Sequence, residues 1–239
     1  MRRILLLVFC LMSFGACDDS ILSYSNNDLK IEIKTGKHWL HEFPLFLGIF
    51  KDNPPQFAVW MEDTSGNYLS TIYVTSKIAT ESWIANKGNR RKEALPHWCH
   101  QRGVEYEDGF MLPTKENPFT DGITGATPKT DKNIKLALNE IEYPFVVKAE
   151  INHSTDWNDY YPKNAKKDDE NFSGGKSGSG QPALIYSGLI DENNESIELK
   201  IIGHSSVDGS DGLIYNDIEK ITSAKSIIKL IKVNIMEQE

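Results

Sequence analysis

The sequence predicts a mainly β protein: an antiparallel β-sandwich of the immunoglobulin-like kind with short helical insertions. Short runs of β-branched and aromatic residues recur along the chain, and several alternate between apolar and polar residues. Turn-forming residues separate these runs at short intervals, as is typical of sandwiches. The chain has 239 residues, of which 39% are hydrophobic, so it can bury a substantial core.

Four regions carry the clearest strand signals. Residues 29–34 alternate strictly, which predicts a half-buried strand. Residues 57–61 and 68–74 are rich in β-forming residues and are joined by a turn-forming segment, so they predict a hairpin. Residues 143–151 predict another strand, and 229–235 predict the strand that closes the domain.

The remaining segments give weaker signals. Residues 183–190 and 197–202 predict a second hairpin. A short helix is expected within 79–108, and another from Asp217, as its N-terminal cap, to residue 226. Residues 163–180 are charged and then rich in glycine and serine, which predicts an exposed, flexible loop.

The first residues are typical of a secretory signal peptide. Arg2 and Arg3 precede an apolar run, and mostly small residues then lead to Cys17. A cysteine directly after Gly-Ala resembles the lipobox of bacterial lipoproteins. That resemblance implies that Cys17 becomes the first mature residue and is acylated. The alternative is plain secretion, with Cys17 free or trimmed away.

The lipoprotein interpretation divides the chain into a signal peptide (1–16), a tether (17–28) and a single sandwich domain (29–239). Three acyl chains would anchor the protein firmly, because two membrane signals already suffice. The expected location is the bacterial cell envelope, on the periplasmic or outer-membrane face. Which membrane holds the anchor stays open at this stage.

Charge and cysteine content exclude two classes of protein. The chain has 34 acidic and 26 basic residues, so it lacks the basic surface that a general nucleic-acid binder needs. Three cysteines are too few for a disulfide scaffold. Cys99 is therefore expected to be a small, buried, apolar residue.

The segment richest in chemical content reads Asp-x-x-Thr-Gly-Ala-Thr and comprises Asp121, Thr124, Gly125, Ala126 and Thr127. It resembles the acceptor site of bacterial flavin transferases, as in flavin-binding subunits of sodium-pumping quinone reductases. The resemblance implies a phosphoester bond between flavin mononucleotide (FMN) and Thr127. Gly125 and Ala126 leave the backbone open to a bulky enzyme, and Asp121 could help a metal-bound transferase hold the loop. The alternative is a turn-rich loop in which Thr124 and Thr127 bond the backbone.

A wider resemblance covers most of residues 29–235. The patterns at 58–63, 95–98 and 121–127 are similar to those of an exported bacterial family known as domain of unknown function 2271. That family has no settled activity. Its members often sit beside flavin transferases and membrane redox proteins, which implies both as partners. Residues 133–142 replace a glycine-rich turn that some members carry.

A group of aromatic residues is a further candidate site. Trp157, Tyr160 and Tyr161 stand among carboxylates and are candidates for stacking on a flavin or sugar ring, or for packing in the core.

Histidines and a cysteine also cluster in sequence, but they lack zinc-motif spacing, so no metal site is expected. The roles of the histidines stay open; the residues are His97, Cys99, His100 and His204.

Two functions of different class follow. The first is a lipid-anchored, covalently flavinylated electron carrier in extracytoplasmic redox chemistry, in which the flavin does the chemistry. The alternative is a noncatalytic binding or scaffold lipoprotein. An envelope hydrolase is disfavoured because the sequence has no Gly-x-Ser-x-Gly nucleophile motif.

Overall fold

Strands dominate the structure, which confirms the predicted mainly β class: 37% of the described residues are in strands and 11% in helices. The predicted signal peptide and Cys17 lie outside the described residues. No helix in the described part of the chain is long and apolar enough to span a bilayer. The computed structural model describes residues 21–22, 29–44, 50–83, 90–138 and 141–236.

The structure contains strands, two α-helices and three 3-10 turns in the described residues. The strands are β1 (Ile21–Leu22), β2 (Leu29–Thr35), β3 (His41–Pro44), β4 (Phe50–Asn53), β5 (Gln56–Asp63), β6 (Tyr68–Thr75), β7 (Ile123–Gly125), β8 (Lys132–Leu136), β9 (Phe145–Asn152), β10 (Leu184–Ile190), β11 (Ser196–Glu198), β12 (Lys200–His204) and β13 (Ile228–Ile235). The α-helices are α1 (Ser76–Thr80) and α2 (Pro96–Gln101), and 3-10 turns form at Gly175–Ser177, Ile218–Lys220 and Ser223–Ser226.

Within the described residues the strands form two large sheets and a small ribbon. One sheet has the order β1-β8-β2-β13-β11, and the other has the order β12-β10-β9-β5-β6-β7. Strands β3 and β4 pair separately. All pairs are antiparallel except β1 with β8 and β6 with β7. The predicted antiparallel sandwich is therefore confirmed, and β1 adds a short strand inside the segment expected to be a tether.

The main core lies between the two large sheets. Ile31 and Ile33 of β2 face Phe57 and Val59 of β5 in one continuous cluster of buried side chains. Strand β2 alternates between buried and half-buried positions, as its sequence predicts, because one of its faces contacts this core.

A second layer covers the outer face of the six-stranded sheet. Ala58 and Trp60 of β5 point away from the main core and pack with Leu95 and Trp98 at α2. Strand β5 is consequently buried on both faces, which explains its nearly continuous apolar sequence. The helix expected within residues 79–108 is α2, which begins with Pro96.

The second predicted hairpin is only half correct. Strand β12 pairs with β10, but β11 pairs with β13 in the opposite sheet. The chain changes sheet at Leu199, whose amide donates to the Ile231 carbonyl and whose side chain is buried. Gly188 permits this crossing, since a Cβ atom there would lie 2.6 Å from the Leu199 Cδ2 atom.

The predicted exposed loop at 163–180 is wrong for its last part. Ser173 and Ser179 are buried, and the Gly178 carbonyl accepts from the Thr155 amide at 2.8 Å. A Cβ atom on Gly178 would lie 1.8 Å from the Ser173 oxygen. Glycine is required here by close backbone packing rather than by flexibility.

The helix predicted from Asp217 to residue 226 is replaced by two 3-10 turns. Asp217 makes no capping bond, and its carboxylate lies 3.1 Å from His204 Nε2. The break falls at Thr222, whose amide donates to Gln181 Oε1 at 2.6 Å, so a side chain from another segment takes the place of a helical acceptor.

Candidate functional site

The Asp-x-x-Thr-Gly-Ala-Thr segment forms the crossing between the two large sheets. Its middle is β7, the edge strand of the six-stranded sheet, in which Ile123 pairs with Tyr73 and Gly125 with Thr75. Thr127 lies just beyond β7, and the chain then enters β8 in the opposite sheet. The acceptor-like residues therefore stand together at one edge of the sandwich.

Buried aromatic side chains hold the backbone of this crossing. The Tyr73 hydroxyl lies 3.3 Å from the carbonyl oxygens of both Gly125 and Ala126. On the far side, the Trp39 indole N–H donates to the Pro128 carbonyl at 3.0 Å. The crossing is thus fixed from within the core at both ends.

Glycine is needed where the crossing approaches Tyr73. A Cβ atom on Gly125 would lie 3.1 Å from the Tyr73 hydroxyl oxygen, closer than nearly all such contacts. Beyond Pro128, Asp131 accepts from the amide and hydroxyl of Thr35 at 2.8 and 3.0 Å. These contacts keep the loop tight against both sheets.

Thr127 is a partly exposed residue whose hydroxyl makes one hydrogen bond to a buried side chain. Gln56 Nε2 donates to Thr127 Oγ1 at 3.3 Å, and Gln56 itself is 2% exposed. Asp121, Thr124 and Ala126 on the same segment are exposed. The segment is therefore accessible, and its last threonine is held by Gln56.

A cavity of about 420 Å³ adjoins the start of the segment. Gly122 and Ile123 line it on one side, Met61 and Ile72 contribute from β5 and β6, and Leu136 contributes from the end of β8. Its volume is within the usual range for small-molecule sites. It lies at the opposite end of β7 from Thr127.

The aromatic group 157–161 divides between core and surface. Tyr161 is 2% exposed and packs in the main core, whereas Trp157 and Tyr160 are partly exposed. The Nζ atom of Lys163 lies 4.9 Å from the Trp157 ring, and that of Lys220 lies 5.5 Å from the Tyr160 ring. Among the residues that the structure describes, no hydrogen bond or ring contact joins this group to Thr127.

Sequence reasoning missed a group of polar residues at the end of the sandwich where the Thr127 crossing lies. His153 Nε2 donates to the His38 carbonyl at 2.9 Å, and the His41 ring lies 5.6 Å away. Burial lowers the pKa of His153 to about 4, so the imidazole is neutral at pH 7, and its Nδ1 atom has no hydrogen-bond partner in the described part of the chain. His38 precedes Trp39, so this group borders the Thr127 crossing.

Asp156 completes the group. It is 5% exposed, and burial raises the pKa of its carboxyl group. Its Oδ1 atom accepts from Ser223 Oγ at 2.6 Å, and Oδ2 has no partner among the described residues. These contacts join segments far apart in sequence, so no local pattern announces them.

The sequence-adjacent ligands around residue 97 do not converge. His97 Nδ1 bonds the Gly212 carbonyl at 2.6 Å, and His100 Nδ1 bonds the Pro96 carbonyl at 2.8 Å. Cys99 is buried among apolar residues, as expected, and burial raises the pKa of its thiol. Over the described ranges, no three His, Cys, Asp or Glu residues are grouped to hold a metal ion.

The chain matches no protein-family model, no curated protein and no solved structure. Its function is therefore argued from its own residues.

Proposed function

We propose that this protein is a lipid-anchored envelope protein that carries flavin mononucleotide on Thr127 and passes electrons outside the cytoplasm. The observation that carries the proposal is the state of one hydroxyl. Thr127 is partly exposed, and its Oγ1 accepts from Gln56 on a crossing that Tyr73 and Trp39 hold against the core. A modifying enzyme gains from such an acceptor, because the backbone is ordered before it binds.

The transfer reaction requires little from this chain beyond the Thr127 hydroxyl. The Thr127 oxygen would form a P–O bond with the flavin-bearing phosphorus of a flavin dinucleotide donor. The nucleotide monophosphate would leave with the electrons of the broken P–O bond, and the hydroxyl proton would pass to a base on the transferase. Gly125 and Ala126 offer no bulk against the approaching enzyme, and exposed Asp121 is free to meet a metal ion that the enzyme holds.

The residues around Thr127 fit flavin mononucleotide at its point of attachment. Thr127 is partly exposed, and the exposed residues next to it on the segment, Thr124 and Ala126, have short side chains. The cavity beside Gly122 and Ile123 supplies a hollow along the same strand. Once bound, the flavin would supply electron and hydride transfer.

The membrane part of the proposal depends on Cys17, which lies outside the described residues. Acylation there would keep the sandwich domain near a membrane redox protein, which is the implied electron donor or acceptor. The lipoprotein-like sequence around Cys17 supports this part.

The experiment is co-expression of the chain with a bacterial flavin transferase, followed by intact-protein mass spectrometry and absorption spectroscopy. We expect a yellow protein with the added mass of one flavin mononucleotide unit. Thr127→Val should abolish the label, because it removes the hydroxyl and keeps the shape. Thr124→Val is the matched control on the same exposed segment and should keep the label.

Two results would contradict the proposal. A label that survives in Thr127→Val would place the acceptor elsewhere. A colourless wild-type protein of unchanged mass would favour the alternative, a noncatalytic binding lipoprotein.

A further inference from the structure

The first strand of the domain starts at the end of the sandwich that carries Thr127. Strand β1 runs parallel to β8, and Ile21 pairs with Asn133 near the beginning of β8. Strand β8 begins at Lys132, soon after the Thr127 crossing. The chain that precedes Ile21 therefore joins the domain at this end, which we call the Thr127 end.

Chain length limits how far the proposed lipid anchor can be from the Thr127 end. Cys17 is four residues before Ile21, and an extended chain spans at most about 3.5 Å per residue, so their Cα atoms are at most about 14 Å apart. The opposite end is farther away, because β5 runs eight residues from Gln56 to Asp63, or about 25 Å. Acyl chains on Cys17 would therefore hold the Thr127 end next to the bilayer.

The ribbon of β3 and β4 also stands at the Thr127 end. Strand β3 begins two residues after Trp39, whose indole N–H donates to the Pro128 carbonyl. Strand β4 ends three residues before Gln56, which donates to Thr127. In the described chain these two strands pair with each other and with neither large sheet. The ribbon is thus a separate element beside the proposed anchor.

Strand β4 exposes a large apolar side chain. Phe50 is 58% exposed, more than any other Phe, Tyr or Trp that the structure describes. Lys51 and Asp52, the next residues of β4, are exposed as well. The residues between β3 and β4, 45–49, lie outside the described ranges, and their sequence reads Leu-Phe-Leu-Gly-Ile. The ribbon therefore combines an exposed aromatic ring with a neighbouring lysine.

This combination suits the interface of a lipid bilayer. There an aromatic ring can lie at the boundary with the acyl chains while a lysine keeps its ammonium group among the headgroups. Glu42 pairs with Asp52 across the ribbon, so the ribbon has no excess of positive charge and does not require anionic lipid. A weak apolar contact is enough, because an anchored domain meets the bilayer at a high effective concentration.

We propose that Phe50 and Lys51 lie in the headgroup region of the bilayer that holds Cys17, so that the Thr127 end faces the membrane. The contact rests on the lipid anchor of the proposed function, and it does not depend on flavin attachment. In this orientation Thr127 lies on the membrane side of the domain, where a membrane redox protein could reach its flavin.

The test is quenching of a fluorophore by lipid, on the full acylated chain in phosphatidylcholine vesicles whose acyl chains carry nitroxide groups. The fluorophore is the environment-sensitive dye NBD, attached to the thiol that Phe50→Cys introduces. Cys99 should stay unlabelled because it is 1% exposed, and acylated Cys17 has no thiol. We expect a blue-shifted emission and a several-fold stronger quenching than at the opposite end of the sandwich.

The matched control is the same dye on Glu192→Cys. Glu192 is exposed and follows β10, whose last residue, Ile190, pairs with Phe145. Phe145 pairs in turn with Asp63, at the end opposite Thr127. This probe should emit as it does in water and be quenched little.

A second labelling position, Lys51→Cys, covers the case in which Phe50→Cys fails to fold, and it should also be quenched. The contact is wrong if an acylated chain shows no more quenching at these two positions than at Glu192→Cys; the anchor would then still stand. A blue-shifted probe that lipid does not quench would assign the ribbon to a protein partner and also overturn the contact. An intact mass without acyl groups on Cys17 would refute the anchor and the contact together.

Discussion

Backbone strain is concentrated at two residues of the described chain. Glu81 and Thr155 are the residues other than glycine there with positive φ, at 50° and 62°. Thr155 is β-branched, so its left-handed conformation is especially unfavourable. Its hydroxyl is also buried and has no hydrogen-bond partner among the residues that the structure describes. Glu81 ends α1 beside Arg90, and Thr155 precedes the buried Asp156.

Replacing Thr155 with glycine should stabilise the protein. Glycine removes both the steric cost of positive φ and the unpaired hydroxyl. The hydrogen bond from the amide of this residue to the Gly178 carbonyl stays in place. We expect the free energy of unfolding in urea to rise by about 1 kcal/mol. Thr130→Gly is the control, because Thr130 is exposed and has ordinary φ, and it should not gain stability. A less stable Thr155→Gly protein would show that the side chain has a contact worth more than its strain.

For single residues, the sequence indicated the chemical role of a side chain but not the residues that contact it. It predicted that Cys99 is buried, which its 1% exposure confirms. It also grouped the residues of the Thr127 segment, because they are adjacent in sequence. It could not find Gln56 or Tyr73, which reach this segment from 71 and 52 residues away. Such contacts follow from the sheet order, which no local pattern specifies.

Strands β5 and β9 are joined by a buried ion pair as well as by their backbone bonds. Lys148 Nζ lies 2.8 Å from Glu62 Oε2, and the Trp60 indole N–H donates to Glu62 Oε1 at 2.7 Å. The Glu62 side chain is only 1% exposed. Both of its oxygens are thus satisfied, which a buried carboxylate requires.

Lys148→Met should break this arrangement and cost about 3 kcal/mol in the free energy of unfolding, because it leaves the buried Glu62 charge unpaired. Adding Glu62→Gln should recover part of that loss, as the uncompensated charge is then gone. Lys200→Met is the control: the Lys200–Glu198 pair is exposed, with side chains 69% and 50% accessible, and its loss should change stability little. Equal losses in Lys148→Met and Lys200→Met would mean that the buried pair contributes nothing beyond a surface pair.

Elements were predictable where periodicity was strong. The alternation at 29–34 and 229–235 gave β2 and β13, and the hairpin of β5 with β6 followed from its turn. Errors arose where tertiary contacts decide. The sequence around Leu199 is typical of a hairpin, but the chain changes sheet there. The sequence around Gly178 is typical of a flexible loop, but Gly178 packs against backbone.

At the scale of the whole molecule, the sandwich prediction was correct but incomplete. The described residues between β6 and β7 form a layer that buries Trp60 and Trp98 on the outer face of one sheet. Burial of this layer also encloses Glu150, which accepts from the amides of His97 and Trp98 at 3.2 and 2.7 Å. Polar groups enclosed in this way make stability depend on pH.

Above pH 6.5 the free energy of unfolding should fall as pH rises. Burial raises the pKa of both Glu81 and Glu150 to about 7, above the ordinary glutamate value of 4.5. The stability that each contributes is full below pH 4.5 and is lost as pH rises through 7. His153 acts in the opposite direction, since burial lowers its pKa from 6.5 to about 4, but that contribution is already complete above pH 6.5. Between pH 6.5 and pH 8 the two carboxyl groups therefore determine how stability changes with pH.

We expect the free energy of unfolding, measured by urea denaturation, to fall by about 1–2 kcal/mol between pH 6.5 and pH 8. Glu81→Gln should roughly halve the fall, because the amide does not titrate, whereas Glu192→Gln should leave it unchanged. A stability that rises or stays level over this interval would show that Glu81 and Glu150 are ionised in the folded protein already at pH 6.5. In that case the outer layer would have to admit enough water to solvate both carboxylates.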